Sequence, residues 1–154
     1  MTKETKVKDI DIIVVNNYAP EKVAGGYGSI LYETRGTGEV VKKIIYGPLK
    51  DSYGNKSGLV GLYESLKTLK SYSIVNIYIN NRFIIDAFEK NWVKAWSRRS
   101  WKKAKNETLM NSGDWKNLYN VMSKHKIYWN FLDSNDDQIL ECEYLSEKPY
   151  RNKT

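Results

Sequence analysis

The chain has 154 residues, of which 41% are hydrophobic, with a single cysteine and 25 Lys and Arg against 18 Asp and Glu, for a formal charge of +7. That length suits one domain able to bury a core unaided, and the lone Cys142 excludes an internal disulfide framework or a cysteine-rich zinc site. No stretch approaches the about 20 apolar residues of a membrane helix, and Met1 to Asp9 carries no apolar signal core, so the expectation is a soluble, intracellular, cytoplasmic protein.

In chain order, residues 1–9 are expected to form a flexible start, residues 10–147 one domain and residues 148–154 a flexible tail. Ile10 to Val15 is a mostly β-branched run, apolar but for Asp11, that predicts a strand covered on both faces and ending at Asn16-Asn17. Ala24-Gly25-Gly26-Tyr27-Gly28 leads into a second strand, Ser29 to Thr34. Arg35-Gly36-Thr37-Gly38 then turns the chain into a third, Glu39 to Tyr46, which Gly47-Pro48 is expected to break. A polar loop from Asp51 to Ser57 offers Asn55 and Ser57 as caps. Leu59, Leu62, Tyr63, Leu66 and Leu69 follow at helical spacing and predict a helix from Leu59 to Lys70.

Ile74 to Ile79 predicts the fourth strand, ending at Asn80-Asn81, and Phe83 to Arg99 reads as helix in one or two pieces. Lys102 to Gly113 is a polar loop, after which Ser112 or Asp114 caps a helix that puts Trp115, Leu118, Tyr119 and Met122 on one face. Ile127 to Phe131 is the fifth strand, Asp133 to Asp137 an acidic loop and Gln138 to Leu145 a last helix. The order describes an α/β fold: a mixed five-stranded sheet, three antiparallel strands then two parallel additions, with helices on both faces. The first and fourth strands are joined by a helical crossover and lie parallel, and ligands sit at the carboxyl ends of such strands. Both ends here are Asn-Asn.

Between Lys90 and Lys105 the chain carries Lys90, Lys94, Arg98, Arg99, Lys102, Lys103 and Lys105 with no acidic residue, interleaved with Trp92, Trp96 and Trp101. These seven cations equal the whole excess of basic over acidic residues, so the charge is a local device. A charge run is ordinarily a solvated face. Seven uncompensated cations in sixteen residues exceed what solubility needs, and a phosphate backbone is the natural counterpart, because Lys and Arg release its condensed counterions. Phe88, Trp92 and Trp96 fall four apart, which favours packing for those two indoles and leaves Trp101 as the expected nucleic-acid contact.

Taken together, the Gly25-Gly26-Tyr27-Gly28 turn, Asn55 before the first helix, the Trp92, Trp96, Trp101 spacing within a basic segment, Asp114-Trp115 and the Ile127-Tyr128-Trp129 strand resemble type 1 ribonuclease H over about Asp11 to Glu147. The resemblance implies that fold, with the basic segment as a helical protrusion gripping an RNA/DNA hybrid, and implies cleavage of the RNA strand by two Mg²⁺ ions held on four carboxylates. The positions of this chain that match those carboxylates are Asn16, Gly58, Asn80 and Glu143, and Asp133 stands where the family has a mobile His.

Two magnesium ions place four positive charges about 4 Å apart, and anionic oxygens are what offset their repulsion and the loss of their water. Two neutral amides, a glycine and one carboxylate are too little, so no Mg²⁺ pair is expected and a weak single ion at Glu143 is the most the site offers. Asp11, five residues before Asn16, falls on the opposite face of its strand, while Glu64 and Asp86 lie six residues beyond Gly58 and Asn80 and point elsewhere. Loss of the clamp costs several kcal/mol of transition-state stabilisation, and each 1.36 kcal/mol is about tenfold in rate. His125, between Lys124 and Lys126, has no nucleophile or ligand partner in the sequence and reads as structural.

Three functions follow. The leading one is a catalytically inactive ribonuclease H-like protein that binds an RNA/DNA hybrid or duplex through the Lys90 to Lys105 cations, Trp101 and the amides Asn17 and Asn55, without a cofactor. The second is a structural or protein-interaction subunit whose basic segment docks an acidic protein. The third is a nuclease with a rebuilt metal site around Glu143 and the acidic loop.

Overall fold

The computed structural model describes residues 7–19, 24–50 and 54–132. Three long strands open it: β1 (Lys8–Ala19), β2 (Ala24–Thr34) and β3 (Val40–Lys50). They are followed by α1 (Lys56–Lys67), β4 (Ser73–Ile79), α2 (Arg82–Glu89), α3 (Trp92–Arg98), a single 3-10 turn at Ala104–Asn106, α4 (Ser112–Met122) and β5 (Lys126–Phe131). The sheet order is β3-β2-β1-β4-β5. β1, β2 and β3 pair antiparallel, while β1 with β4 and β4 with β5 are parallel. The mixed five-stranded sheet is the one the sequence predicts.

Alternation along β1 divides the apolar residues between two faces. Ile10, Ile12 and Val14 join Leu59, Leu62 and Leu66 of α1, Val75, Ile77 and Ile79 of β4 and Trp115 and Leu118 of α4 in the main core. Ile13 and Val15 point the other way and cluster with Ile30 and Leu132. Every residue from Ile12 to Val15 is buried, as a strand covered on both faces requires. α1 crosses the sheet closely because Gly61 has no side chain: a Cβ there would lie 2.9 Å from Tyr27 Cβ and Cγ. Burial, reinforced by the negative field of Glu64, raises the pKa of the enclosed Tyr27 hydroxyl.

Several boundaries differ from the sequence reading. β1 starts at Lys8, inside the stretch assigned to a flexible start, because Lys8 and Asp9 continue the parallel ladder opposite Ser73 and Ile74. β1 also runs past Asn16-Asn17, which pair with Tyr27 and Gly26. β3 passes through Gly47-Pro48 to Lys50; as an edge strand it tolerates a residue with no N–H to donate. α1 begins and ends three residues earlier than its leucines suggest. The cap of α4 is Asn111, held at φ 60 and making no side-chain cap bond, so Ser112 is the first helical residue and Asp114 lies in the first turn. The Lys102 to Gly113 loop contains the 3-10 turn and a Lys102–Thr108 bridge. The acidic loop, the helix expected over Gln138 to Leu145, residues 1–6 and the tail at 148–154 lie outside the described residues.

Candidate functional site

The parallel register sets Val14 of β1 beside Ile79 of β4, so the residues just beyond them share one end of the sheet. Asn16 is on the α1 face of β1, two positions after Val14. Its backbone N–H donates to Asn80 Oδ1 at 3.3 Å. Gly58, in the first turn of α1, completes the junction: a Cβ built on it would sit 3.1 Å from Asn16 Oδ1 and 2.8 Å from Ile84 Cδ1. Three of the four matched positions therefore converge, whereas the fourth, Glu143, and Asp133 lie outside the described residues.

A second layer of amides fixes this junction. Asn81 caps α2, its Oδ1 accepting from Ile84 N–H at 3.0 Å, while its Nδ2 donates to Asn55 Oδ1 at 2.9 Å. Asn55 stands at the N-cap of α1 yet makes no side-chain cap bond there, contrary to the capping role read from the sequence; its oxygen is taken by Asn81. The starts of α1 and α2 are thereby clasped to each other. Asn17 pairs through its backbone with Gly26.

The donors that the described residues bring to this junction are neutral and do not fit a pair of divalent cations. Asn16, Asn80, Asn81 and Asn55 supply neutral amides and Gly58 supplies no donor. Among the described residues no group of three or more His, Cys, Asp or Glu is placed to hold a metal ion. Among the described residues, the carboxylates nearest in sequence are engaged elsewhere. Asp11 accepts from Asn76 Nδ2 at 3.1 Å and lines the opposite face with Ile13, Tyr32 and Tyr78; Glu64 pairs with Lys67 at 3.1 Å. Asp86 lies 3.7 Å from Arg82 and 3.8 Å from Lys90. Asp114, in the first turn of α4, has its pKa raised by burial against the opposing pull of Lys56.

All seven cations of the Lys90 to Lys105 segment are exposed. Lys90 is engaged, near Asp86 and 5.6 Å from the Trp92 ring centroid. The other six form no ion pair with a carboxylate among the described residues. The backbone around them is bent by left-handed residues, including Asn91, Ser100, Trp101 and Lys105. That bend turns Trp101 back onto Tyr119, with ring centroids 5.6 Å apart, and it packs against the core. Trp96 packs edge-on against Trp115 at 5.1 Å, as its spacing predicts. Trp92 does not follow the packing expectation to the same degree: it is 36% exposed and its aromatic neighbour is the rim residue Phe83, itself 47% exposed, at 5.7 Å. Phe83 lies two residues after Asn81, so this exposed aromatic pair connects the amide junction with the basic segment.

His125 has the structural part expected of it: its Nδ1 accepts from Ser73 N–H at 3.2 Å, bracing the start of β4. Burial, and then Lys124, push its pKa below the usual 6.5. Sequence reasoning missed Ile84, Asn81 as a clasp, and Phe83. An Asn before an apolar helix signals the cap; the contacts of Ile84 and Phe83 are tertiary and carry no local signature.

The same architecture occurs in known proteins. A type 1 RNase H with the type 2 active-site motif superposes with a TM-score of 0.80 at 17% identity, covering 99% of this chain and 76% of that one. A foamy viral protease-reverse transcriptase in complex with an RNA/DNA hybrid gives 0.69 at 14% identity, covering 96% of this chain and 21% of the other. In sequence, the chain is 31% identical over 126 residues to a ribonuclease H of Trichodesmium erythraeum (strain IMS101), covering 80% of this chain and 77% of the relative. The RNase H family model matches residues 17–136. With a converging strand-end junction, the ordered sheet and this match over most of its length, the chain belongs to the RNase H family.

Proposed function

We propose that this chain is a nucleic-acid-binding member of its family that holds an RNA/DNA hybrid or duplex and does not cleave it with a metal pair. The observation that carries the reading is the convergence of Asn16, Gly58 and Asn80 at the strand ends without a carboxylate among them. Supporting the binding half are six exposed cations free of carboxylate partners among the described residues, and the Phe83–Trp92 pair between them and the junction. Neutral amides repel a phosphate backbone less than carboxylates do, and they hydrogen-bond phosphate, sugar or base. The related foamy viral enzyme in complex with an RNA/DNA hybrid points to the same ligand class. On this reading the basic segment is the gripping protrusion and no cofactor is needed.

A second reading, cleavage through a rebuilt site at Glu143, is favoured by one finding: relatives at this level of identity bear the name ribonuclease H. One assay separates the two. A hybrid labelled on its RNA strand is mixed with excess protein in Mg²⁺ or Mn²⁺, and binding and chain length are read from the same sample. Retention of full-length RNA supports the proposal; cutting that disappears in Glu143→Ala establishes the alternative. No retention of hybrid, duplex DNA or duplex RNA at low salt would leave the basic segment to an acidic protein partner.

A further inference from the structure

Resting on the reading that the junction holds no metal pair, we infer that Ile84 sterically locks position 58, so that restoring carboxylates at positions 16, 58 and 80 does not by itself restore divalent-cation binding. The lock is a contact. Gly58 Cβ would fall 2.8 Å from Ile84 Cδ1, with Asn16 Oδ1 at 3.1 Å and Asn16 Cγ at 3.2 Å. Carbon atoms pack at about 3.5 to 4.0 Å, so any side chain at position 58 must displace one of these groups. A glutamate needs that Cβ and further atoms beyond it.

Ile84 is not free to withdraw. Ile84 is fully buried, as are Ile85 and Ala87 along the same helix, so turning its side chain overpacks the core. Its backbone cannot retreat either: its N–H is held by Asn81 Oδ1 at 3.0 Å, and Asn81 is tied at 2.9 Å to Asn55 at the start of α1. The clasp joins the two helix starts that carry Gly58 and Ile84. On the other side, Asn16 Oδ1 is enclosed and has no hydrogen-bond donor among the described residues. The absence of a side chain at position 58 is therefore built into the packing of α1 against α2. Ile84→Val deletes the offending δ-methyl and little else, at a small cost for a core substitution.

The test compares Asn16→Asp/Gly58→Glu/Asn80→Asp with and without Ile84→Val, titrating Mn²⁺ alone by calorimetry. Ile84→Val is expected to tighten Mn²⁺ binding at least about tenfold in the carboxylate background. Equal affinities, or no Mn²⁺ uptake above the parent in either variant, overturn the lock. A parent that already binds two Mn²⁺ defeats the underlying reading instead, and is recognised because it needs no substitution. Thermal unfolding of Gly58→Ala keeps the inference testable should the triple variants not fold. Alone it is expected to lower Tm by about 3 to 6 °C, whereas with Ile84→Val present it leaves Tm unchanged or raises it, alanine being the better helix former. The same shift in both backgrounds refutes the lock.

Discussion

Replacing Arg98, Arg99, Lys102 and Lys103 together by alanine removes four of the six segment cations that no described carboxylate pairs with. Lys90 is left out of the count because Asp86 lies 3.8 Å from it and already offsets its charge. If all six meet phosphates on a B-form duplex, log K falls against log salt with a slope of up to about −5, at about 0.9 per phosphate. Two remaining cations give a slope near −2 by the same rule. Between about 50 and 200 mM salt the parent then loses roughly a thousandfold in affinity and the variant roughly tenfold. All four side chains are exposed, and such substitutions each alter stability by about 0.5 kcal/mol or less, so folding is retained. Fluorescence anisotropy of labelled duplex and hybrid across a salt series reads the slope directly. A variant with the parental slope would refute the assignment of this segment as the gripping surface; Lys90→Ala should alter it least.

Ser29 and Ser65 share a buried hydroxyl contact of 2.6 Å, and Ser65 Oγ donates to Gly61 O at 2.7 Å. Ser65→Ala strands the Ser29 hydroxyl and is expected to cost about 1 to 3 kcal/mol in urea unfolding, while the double alanine variant costs less than the sum of the singles. Additive losses would contradict that pairing. Trp115→Ala removes the ring that meets Phe83, Phe88 and Trp96 and should cost about 3 to 5 kcal/mol; a loss below about 1 kcal/mol would mean the aromatic cluster contributes little. His125 has a folded-state pKa below the usual 6.5, so its neutral form is favoured on folding. Its contribution is therefore full above about pH 6.5 and is lost as pH falls through that value towards the folded-state pKa, as the unfolded chain takes up the proton first. Urea midpoints from pH 7 to 5 should drop more steeply in the parent than in His125→Gln, and parallel profiles would remove burial of the imidazole as the cause.

Patterns of periodicity and punctuation made the sheet and helices legible. Ile12 to Val15 and Leu59, Leu62 and Leu66 each declare a buried face through spacing alone. Strand limits were less so, since Pro48 reads as a breaker until β3 is known to be the edge. The matched positions Asn16, Gly58 and Asn80 could be chosen from motifs, and they do meet in space. Trp101 packs more closely than its place in the polar run suggests because left-handed residues at Ser100 and Trp101 bend the chain, a feature that helical spacing does not encode. The closure of position 58 by Ile84 depends on how α2 leans on α1, which a list of residues 26 apart does not reveal.

The most direct measurement is electron paramagnetic resonance of Mn²⁺ titrated into the unsubstituted protein bound to an RNA/DNA hybrid, with two adjacent ions read from their exchange-coupled signal. The expected result is stable hybrid binding with no coupled pair at millimolar Mn²⁺. A coupled pair at a stoichiometry of two ions per chain would contradict the proposal that this junction grips nucleic acid without the metal clamp.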